Sequence, residues 1–432
     1  MADTTTTDVE VDHDPDGGKV TRQQWKWTIL AGMASYLDAG SIVALGAGLA
    51  LFKAEFGLGS GAVGALAAIG PNALGCALGA FIGGRLGDKL GRKKIYQWDL
   101  LLYAVGILLI AFSVNPVMLF VGTFIVGVTV GADVPTSLAL VGELSPAKAR
   151  GKLLGFSQVA WNFGPVIVLL LALVLAPLGL LGIRIVFLHL CLVALVTWGL
   201  RRGMSESVRW KSASAAVKET GHRVSDLFRG ANLKALLWTA TIYVFWNLAA
   251  GTSGIFTPYM VKTLGGGSQA VSVGLACAGF AIGIIATVVI FMPHYDKTHG
   301  LRKVFWGVGS VMQIVAYGMF IVLPFTVPVI ILNVVLFAIG AALAGEAVYK
   351  IFSQELFPTM LRGTAQGYTF GVARMFLGIW SFFVPVLATQ GFSVVGGLLA
   401  LFLLISGVVG FFFMPHTVGK SLEHIEAERA AG

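Results

Sequence analysis

The chain has 432 residues, of which 56% are hydrophobic and only 12% charged, and its formal net charge at pH 7 is +9. A soluble domain carries about a quarter of its residues as charges, so this composition excludes a water-soluble globular protein. It also contains 56 glycines, a frequency that suits membrane helices in close approach. Three cysteines, Cys76, Cys191 and Cys277, all fall in apolar stretches without metal-ligand spacing, which excludes a disulfide framework.

In chain order, the first two dozen residues are polar and acidic (Asp3, Asp8, Glu10, Asp12, Asp14, Asp16) and read as a disordered tail, with no cleavable leader. A helix needs about 20 apolar residues to cross the hydrocarbon core. Runs of that kind fall near 27–52, 61–84, 96–114, 117–141, 153–176, 179–200, 235–258, 269–292, 303–323, 327–350, 364–388 and 393–414. The expected architecture is an all-α membrane protein of twelve spans. It divides into a tail (1–24), a first six-helix bundle (25–200), a linker (201–233), a second six-helix bundle (234–414) and a closing tail (415–432).

Lysine and arginine cluster on one side. Lys19, Arg22 and Lys26 precede the first run, Arg85, Lys89, Arg92, Lys93 and Lys94 follow the second, and seven more lie between Arg201 and Arg229. The positive-inside rule puts these segments and both termini in the cytoplasm. The surplus charge is thus a topology signal rather than a nucleic-acid patch, and the cell membrane is the expected location.

Residues 143–151 read ELSPAKARG and 355–363 read ELFPTMLRG, with five of nine positions identical at an offset of 212. The loop starting Asp88-Lys89 and ending Arg92-Lys93 has a longer echo running from Asp296-Lys297 to Arg302-Lys303. A parallel repeat of two six-helix halves is a known transporter architecture.

The stretch Gly84-Arg85-Leu86-Gly87-Asp88-Lys89-Leu90-Gly91-Arg92-Lys93-Lys94 resembles the cytoplasmic signature of the major facilitator superfamily. The paired Glu-x-x-Pro-x-x-x-Arg-Gly motifs resemble its sugar porter branch, as do Ser205-Glu206-Ser207-Val208-Arg209-Trp210 and the segment Pro415–Glu423. The likeness covers essentially the whole chain. It implies alternating access by two bundles, with runs one, four, seven and ten lining a central cavity. The chain departs from the branch at three places: Phe245-Trp246 stands for a Gln pair, Pro165 for a Gln, and Thr123 for an Arg.

Ionisable groups inside a membrane cost about 2.5–3.5 kcal/mol each on insertion scales and mark functional positions. Asp38 in run one, Asp133 in run four and Glu346 in run ten are the candidates for proton coupling, Asp133 aligning with position 345 in the repeat. For Asp38 three roles stand open: proton carrier, hydrogen-bond acceptor for substrate, or member of a permanent ion pair, for instance with Arg374. Glu346 and Lys350 are four apart with the acid first, the order that pairs on one helix face. Arg374 in run eleven either pairs with Glu346 or meets an anionic substrate. Gln158, Trp161 and Asn162 in run five, with Trp246, Asn247 and Thr252 in run seven, combine amides and flat rings in the manner polyols require.

Asp88, with Arg85, Arg92, Glu143, Arg150, Glu206, Glu355 and Arg362, forms the expected cytoplasmic gate, Asp88 being placed to meet a helix N-terminus. Gly75, Gly79 and Gly83 form a close-packing stripe expected to slide during transport. No nucleotide-binding loop, metal cluster or nucleophile–base constellation is visible, so neither enzyme activity nor a cofactor is expected. The expected activity is proton-coupled import of a sugar or cyclic polyol such as inositol by a monomer in contact with lipid. The alternatives are transport of a small organic anion and an uncoupled facilitator.

Overall fold

The computed structural model describes residues 19–204, 206–220, 224–263, 269–388 and 390–431. Most of the acidic tail expected to be disordered, residues 1–18, lies outside this set, as do 205 and 221–223 of the linker. The described residues are mainly helical, with no strand among them.

Twelve of the helices are long and apolar enough to span a membrane: α1 (Arg22–Phe56), α2 (Gly61–Leu90), α3 (Arg92–Ala111), α4 (Pro116–Leu144), α5 (Ala147–Val174), α6 (Leu180–Arg201), α7 (Gly230–Ser253), α8 (Val273–His294), α9 (His299–Ile321), α10 (Val327–Glu355), α11 (Arg362–Val384) and α12 (Phe392–Phe412). Helices satisfy every backbone polar group within their own segment, which hydrocarbon demands. Ends are set by local chemistry. Thr21 and Gln24 form a reciprocal capping box at the start of α1, and Gly57 closes its far end at φ +61°. Asn115 caps α4, with Pro116 in its first turn.

Two spans are interrupted. α2 breaks around Gly70–Ala73, and α10 breaks at Ala344–Gly345 so that Glu346 begins a fresh helical segment. A side chain at Gly345 would collide with the Trp246 ring, 2.8 Å from its Cζ2. The break therefore lies where α7 presses on α10.

Within the first half, α1 packs on α5, α3 on α4 and α6, and α2 on α4; within the second, α9 packs on α10 and α12, and α7 on α11 and α12. The halves meet chiefly through α2 with α11 and α5 with α8. These two contacts exchange under a six-helix shift, as a parallel repeat requires. Outward faces such as Leu192, Leu195 and Val196 on α6 or Val304, Val308 and Val311 on α9 are exposed and wholly apolar.

The glycine stripe of α2 corrects one expectation. Cβ atoms at Gly75, Gly79 and Gly83 would strike Gly127, Val128 and Ala132 of α4, inside the same half. The stripe cements α2 to α4 instead of lying between the moving parts. Close approach across the halves belongs to Gly84, whose Cβ would sit 3.2 Å from Gly367 Cα of α11.

Candidate functional site

Asp38 lies midway along α1 and is buried. Its Oδ2 accepts from Arg374 Nη2 of α11 at 3.2 Å and from the Trp161 indole N–H of α5 at 3.1 Å. Arg374 also donates to the Asn72 amide oxygen at 3.2 Å, at the break in α2, and lies 4.8 Å from the Phe370 ring centre. Asp38 Oδ1 has no partner among the described residues. Arg374 thus pairs with Asp38 and not with Glu346.

Glu346 accepts from the Tyr243 hydroxyl at 3.2 Å and lies 3.6 Å from Lys350 Nζ. Lys350 donates to Gln158 Oε1 at 3.0 Å, across the boundary between the halves. The four charges cancel: two carboxylates, one guanidinium and one ammonium, all buried. Glu346 sits in the first turn of its segment, where the helix dipole favours an anion.

Beside this cluster lies a cavity of about 150 Å³, walled by Gln158, Trp161 and Asn162 of α5, Trp246 of α7 and apolar residues of α8 and α10. A second cavity of about 470 Å³ runs past Gly46, Ala47 and Leu51 of α1. The two share Ala276 and Phe280, so the inner cavity is approached from the face opposite the termini. Asn247 and Thr252 are not on its wall. Trp246, Ala250 and Ser253 line it and occupy one stripe of α7 at helical spacing, which turns positions 247 and 252 elsewhere. Thr252 accepts instead from the Trp380 indole at 2.8 Å, while Asn247 is buried with its amide oxygen unpartnered among the described residues.

Asp133 is not brought to the centre. Arg201 Nη1 lies 3.2 Å from both its oxygens and Ser137 donates to it at 2.6 Å, in a separate buried group between α3, α4 and α6. The repeat match to Glu346 fails spatially because the α10 break at Gly345 has no counterpart in α4, which stays continuous there.

On the face that carries both termini, the two motif copies interlock. Glu143 meets Arg92 of its own half at 2.7 Å and Arg362 of the other at 3.5 Å. Glu355 meets Arg302 of its own half at 2.9 Å and Arg150 of the other at 3.2 Å. Asp88 accepts from the backbone N–H groups of Gly363 (3.1 Å) and Thr364 (2.6 Å) at the start of α11. Asp296 does the same for Gly151 and Lys152 at the start of α5, both at 3.0 Å. Each aspartate thus caps a helix of the opposite half, satisfying donors the helix cannot use itself. Glu206 accepts from the Arg92 and Lys93 N–H groups at 3.1 and 3.0 Å. Arg85 is exposed and joins no ion pair among the described residues, because its position faces away from α11. At the rim, Arg209 bridges Glu423 at 2.8 Å. Burial works to raise the Glu423 carboxyl, but its own backbone N–H and Arg209 outweigh that and hold it below the ordinary glutamate range.

Sequence reasoning missed Asp296 and Arg302 as latch members, although the echoed loop contained both. It also passed over Asn72, Tyr243, Asp99 and Arg201, the last taken for a loop charge because it ends α6.

Twelve spans in two repeated halves, a central, largely apolar cavity with a few amide and indole groups, and an ion-paired closure on one face define a secondary transporter of small solutes. Residues 28–378 match the Major Facilitator Superfamily, and the chain belongs to that family. It is 38% identical over 412 residues, 93% of each chain, to the minor myo-inositol transporter IolF of Bacillus subtilis. It is 25% identical to the glucose transporter GlcP of Staphylococcus epidermidis, over 82% of this chain and 86% of that one. Among solved structures, the proton:xylose symporter XylE superposes with a TM-score of 0.82 at 20% identity, covering 94% of this chain and 98% of that one.

Proposed function

We propose that the chain imports a cyclic polyol or sugar, inositol-like in its hydroxyl pattern, together with a proton. Trp161 carries this reading. Its ring walls the cavity while its indole N–H binds Asp38, so substrate occupancy and the state of the carboxylate bear on one side chain. Gln158 and Asn162 supply the donors and acceptors that hydroxyls need, and Trp161 and Trp246 supply flat faces for C–H surfaces. The likeness to a protein named as a myo-inositol transporter supports the same class.

In this reading Asp38 carries the coupling proton and Arg374 is the counter-ion it alternately holds and releases. The halves 25–200 and 234–414 rock as bodies about the cavity, with the linker 201–233 and both tails in the cytoplasm of a cell-membrane monomer. The Glu143 and Glu355 clusters, with Asp88 and Asp296, form the cytoplasmic gate. An organic anion suits the centre less well, because Arg374 and Lys350 are already matched by Asp38 and Glu346.

The test is uptake into proteoliposomes across an imposed pH gradient, screened with inositols, hexoses, pentoses and organic acids. Accumulation of a polyol or sugar that collapses with a protonophore is expected. Equilibration without accumulation would make the protein a facilitator, and accumulation of acids alone would overturn the substrate class.

A further inference from the structure

Away from the transport cavity, a second pair of acids lies buried inside the first half. Asp99 of α3 and Asp133 of α4 are 7% and 3% exposed, and both border one small void between α1, α3 and α4. Among the described residues a single cation faces them, Arg201 of α6. Its Nη1 is 3.2 Å from both Asp133 oxygens, and its Nε and Nη2 donate to the Leu30 carbonyl of α1 at 3.0 and 2.8 Å. The guanidinium lies 4.6 Å from the centre of the Tyr96 ring.

The donors do not suffice for two anions. Asp133 receives Arg201 and the Ser137 hydroxyl. Asp99 receives only the Leu100 N–H, at 2.6 Å on Oδ1, and its Oδ2 is buried without a donor among the described residues. A bare carboxylate oxygen in that setting, across a small void from another carboxylate, is among the costlier arrangements available to a protein. One proton between the two acids removes the conflict, since the protonated oxygen donates to its neighbour and the net charge with Arg201 falls to zero. The remaining titratable neighbours are Tyr96 and Tyr103 of α3. The Tyr96 hydroxyl is committed to the Thr136 carbonyl at 2.9 Å and the Tyr103 hydroxyl to Ser41 at 2.7 Å. The residues of α1 at the void beside the pair, Ala34 and Leu37, bring no charge. That void measures about 10 Å³, room for about one water at most.

We propose that Asp99 and Asp133 form a proton-binding site in the first half, separate from Asp38 and from the transport cavity. The proton resides on Asp99 and is donated to the Asp133 carboxylate. Its occupancy reaches α1 through Arg201, which holds the Leu30 carbonyl about two helical turns before Asp38. This goes beyond the transport reading above, because the pair stands whether or not Asp38 carries the coupling proton.

Infrared spectroscopy of the full-length protein in lipid vesicles at pH 7 tests it through the C=O stretch of protonated carboxylic acids. Asp99→Asn should lose one such band, whereas Asp38→Asn should keep that same band. An unchanged band intensity in Asp99→Asn overturns the proposal. Should Asp99→Asn fail to fold, Asp133→Asn serves: Asp99 then faces no second carboxylate, stays close to Arg201 and should ionise, again losing the band. A band that survives in Asp133→Asn overturns the sharing of the proton.

Discussion

Asp38 is buried midway along α1, with one oxygen on Arg374 and Trp161 and the other without a donor among the described residues. Protonation abolishes the need for Arg374; deprotonation restores it. Asn at this position keeps the size of the protonated acid and can never release a proton. Asp38→Asn is therefore expected to abolish concentrative uptake while leaving substrate exchange largely intact, as counterflow in proteoliposomes would show. Accumulation that survives this substitution would move the coupling site elsewhere. In the proposed coupling, Trp161 would serve both the substrate wall and the Asp38 carboxyl. Trp161→Phe retains an aromatic wall but removes the N–H to Asp38, so the pH profile of uptake should shift while substrate affinity changes by less than about tenfold. A large affinity loss with an unmoved pH profile would show that the indole serves substrate alone.

Among the elements, α10 shows how much depends on an interruption. Glu346 and Lys350 pair across one turn of a segment that exists because the span breaks at Gly345. Removing either partner strands a buried charge, a loss of about 3–5 kcal/mol in other proteins, whereas removing both spares much of it. The Glu346→Gln/Lys350→Met double variant should be more stable than the sum of the single losses predicts, measured by thermal unfolding in detergent. Strict additivity would dissolve the pair. The number and order of the spans were legible from apolar run length alone, since lipid demands it. The Glu346–Lys350 spacing was legible for the same kind of reason, being fixed by helix periodicity. What lay beyond the sequence was rotation about each axis. Asp133 and Asn247 carry suitable chemistry at suitable depth, yet face α6 and the packed side of α7, and no run of hydropathy encodes that. The break in α10 was equally hidden, because Ala344 and Gly345 end an apolar stretch inside a run long enough to read as one continuous span.

At the level of the whole molecule, the closure on the termini face is built twice. Asp88 caps α11 and Asp296 caps α5, each reaching into the opposite half, while Glu143 and Glu355 each bind one arginine from either side. Neither copy touches the cavity, so weakening them should change rate and conformational balance more than binding. Asp88→Asn and Asp296→Asn are each expected to slow transport severalfold, and the double variant to slow it further than either. Equilibrium substrate affinity should remain within about threefold. Equal losses of affinity and rate in well-folded variants would argue against a latch. The likeness of the loop beginning at Asp296 to that beginning at Asp88 made this duplication readable in principle, though only the docking onto the facing helix gave the second loop its role.

The bare backbone contact between Gly84 and α11 has a practical corollary. The smallest possible side chain at residue 84 obstructs the closed arrangement, since its Cβ would overlap the backbone carbonyl oxygen of Gly363 at the start of α11, yet it costs little once α2 and α11 have parted. Gly84→Ala should act as a wedge, biasing the carrier towards the form open on the termini face without altering any charge or any cavity residue. A cysteine placed in the parted seam should then react with impermeant reagents that wild type excludes. Such a wedge would give access to the opposite half of the transport cycle by geometry alone.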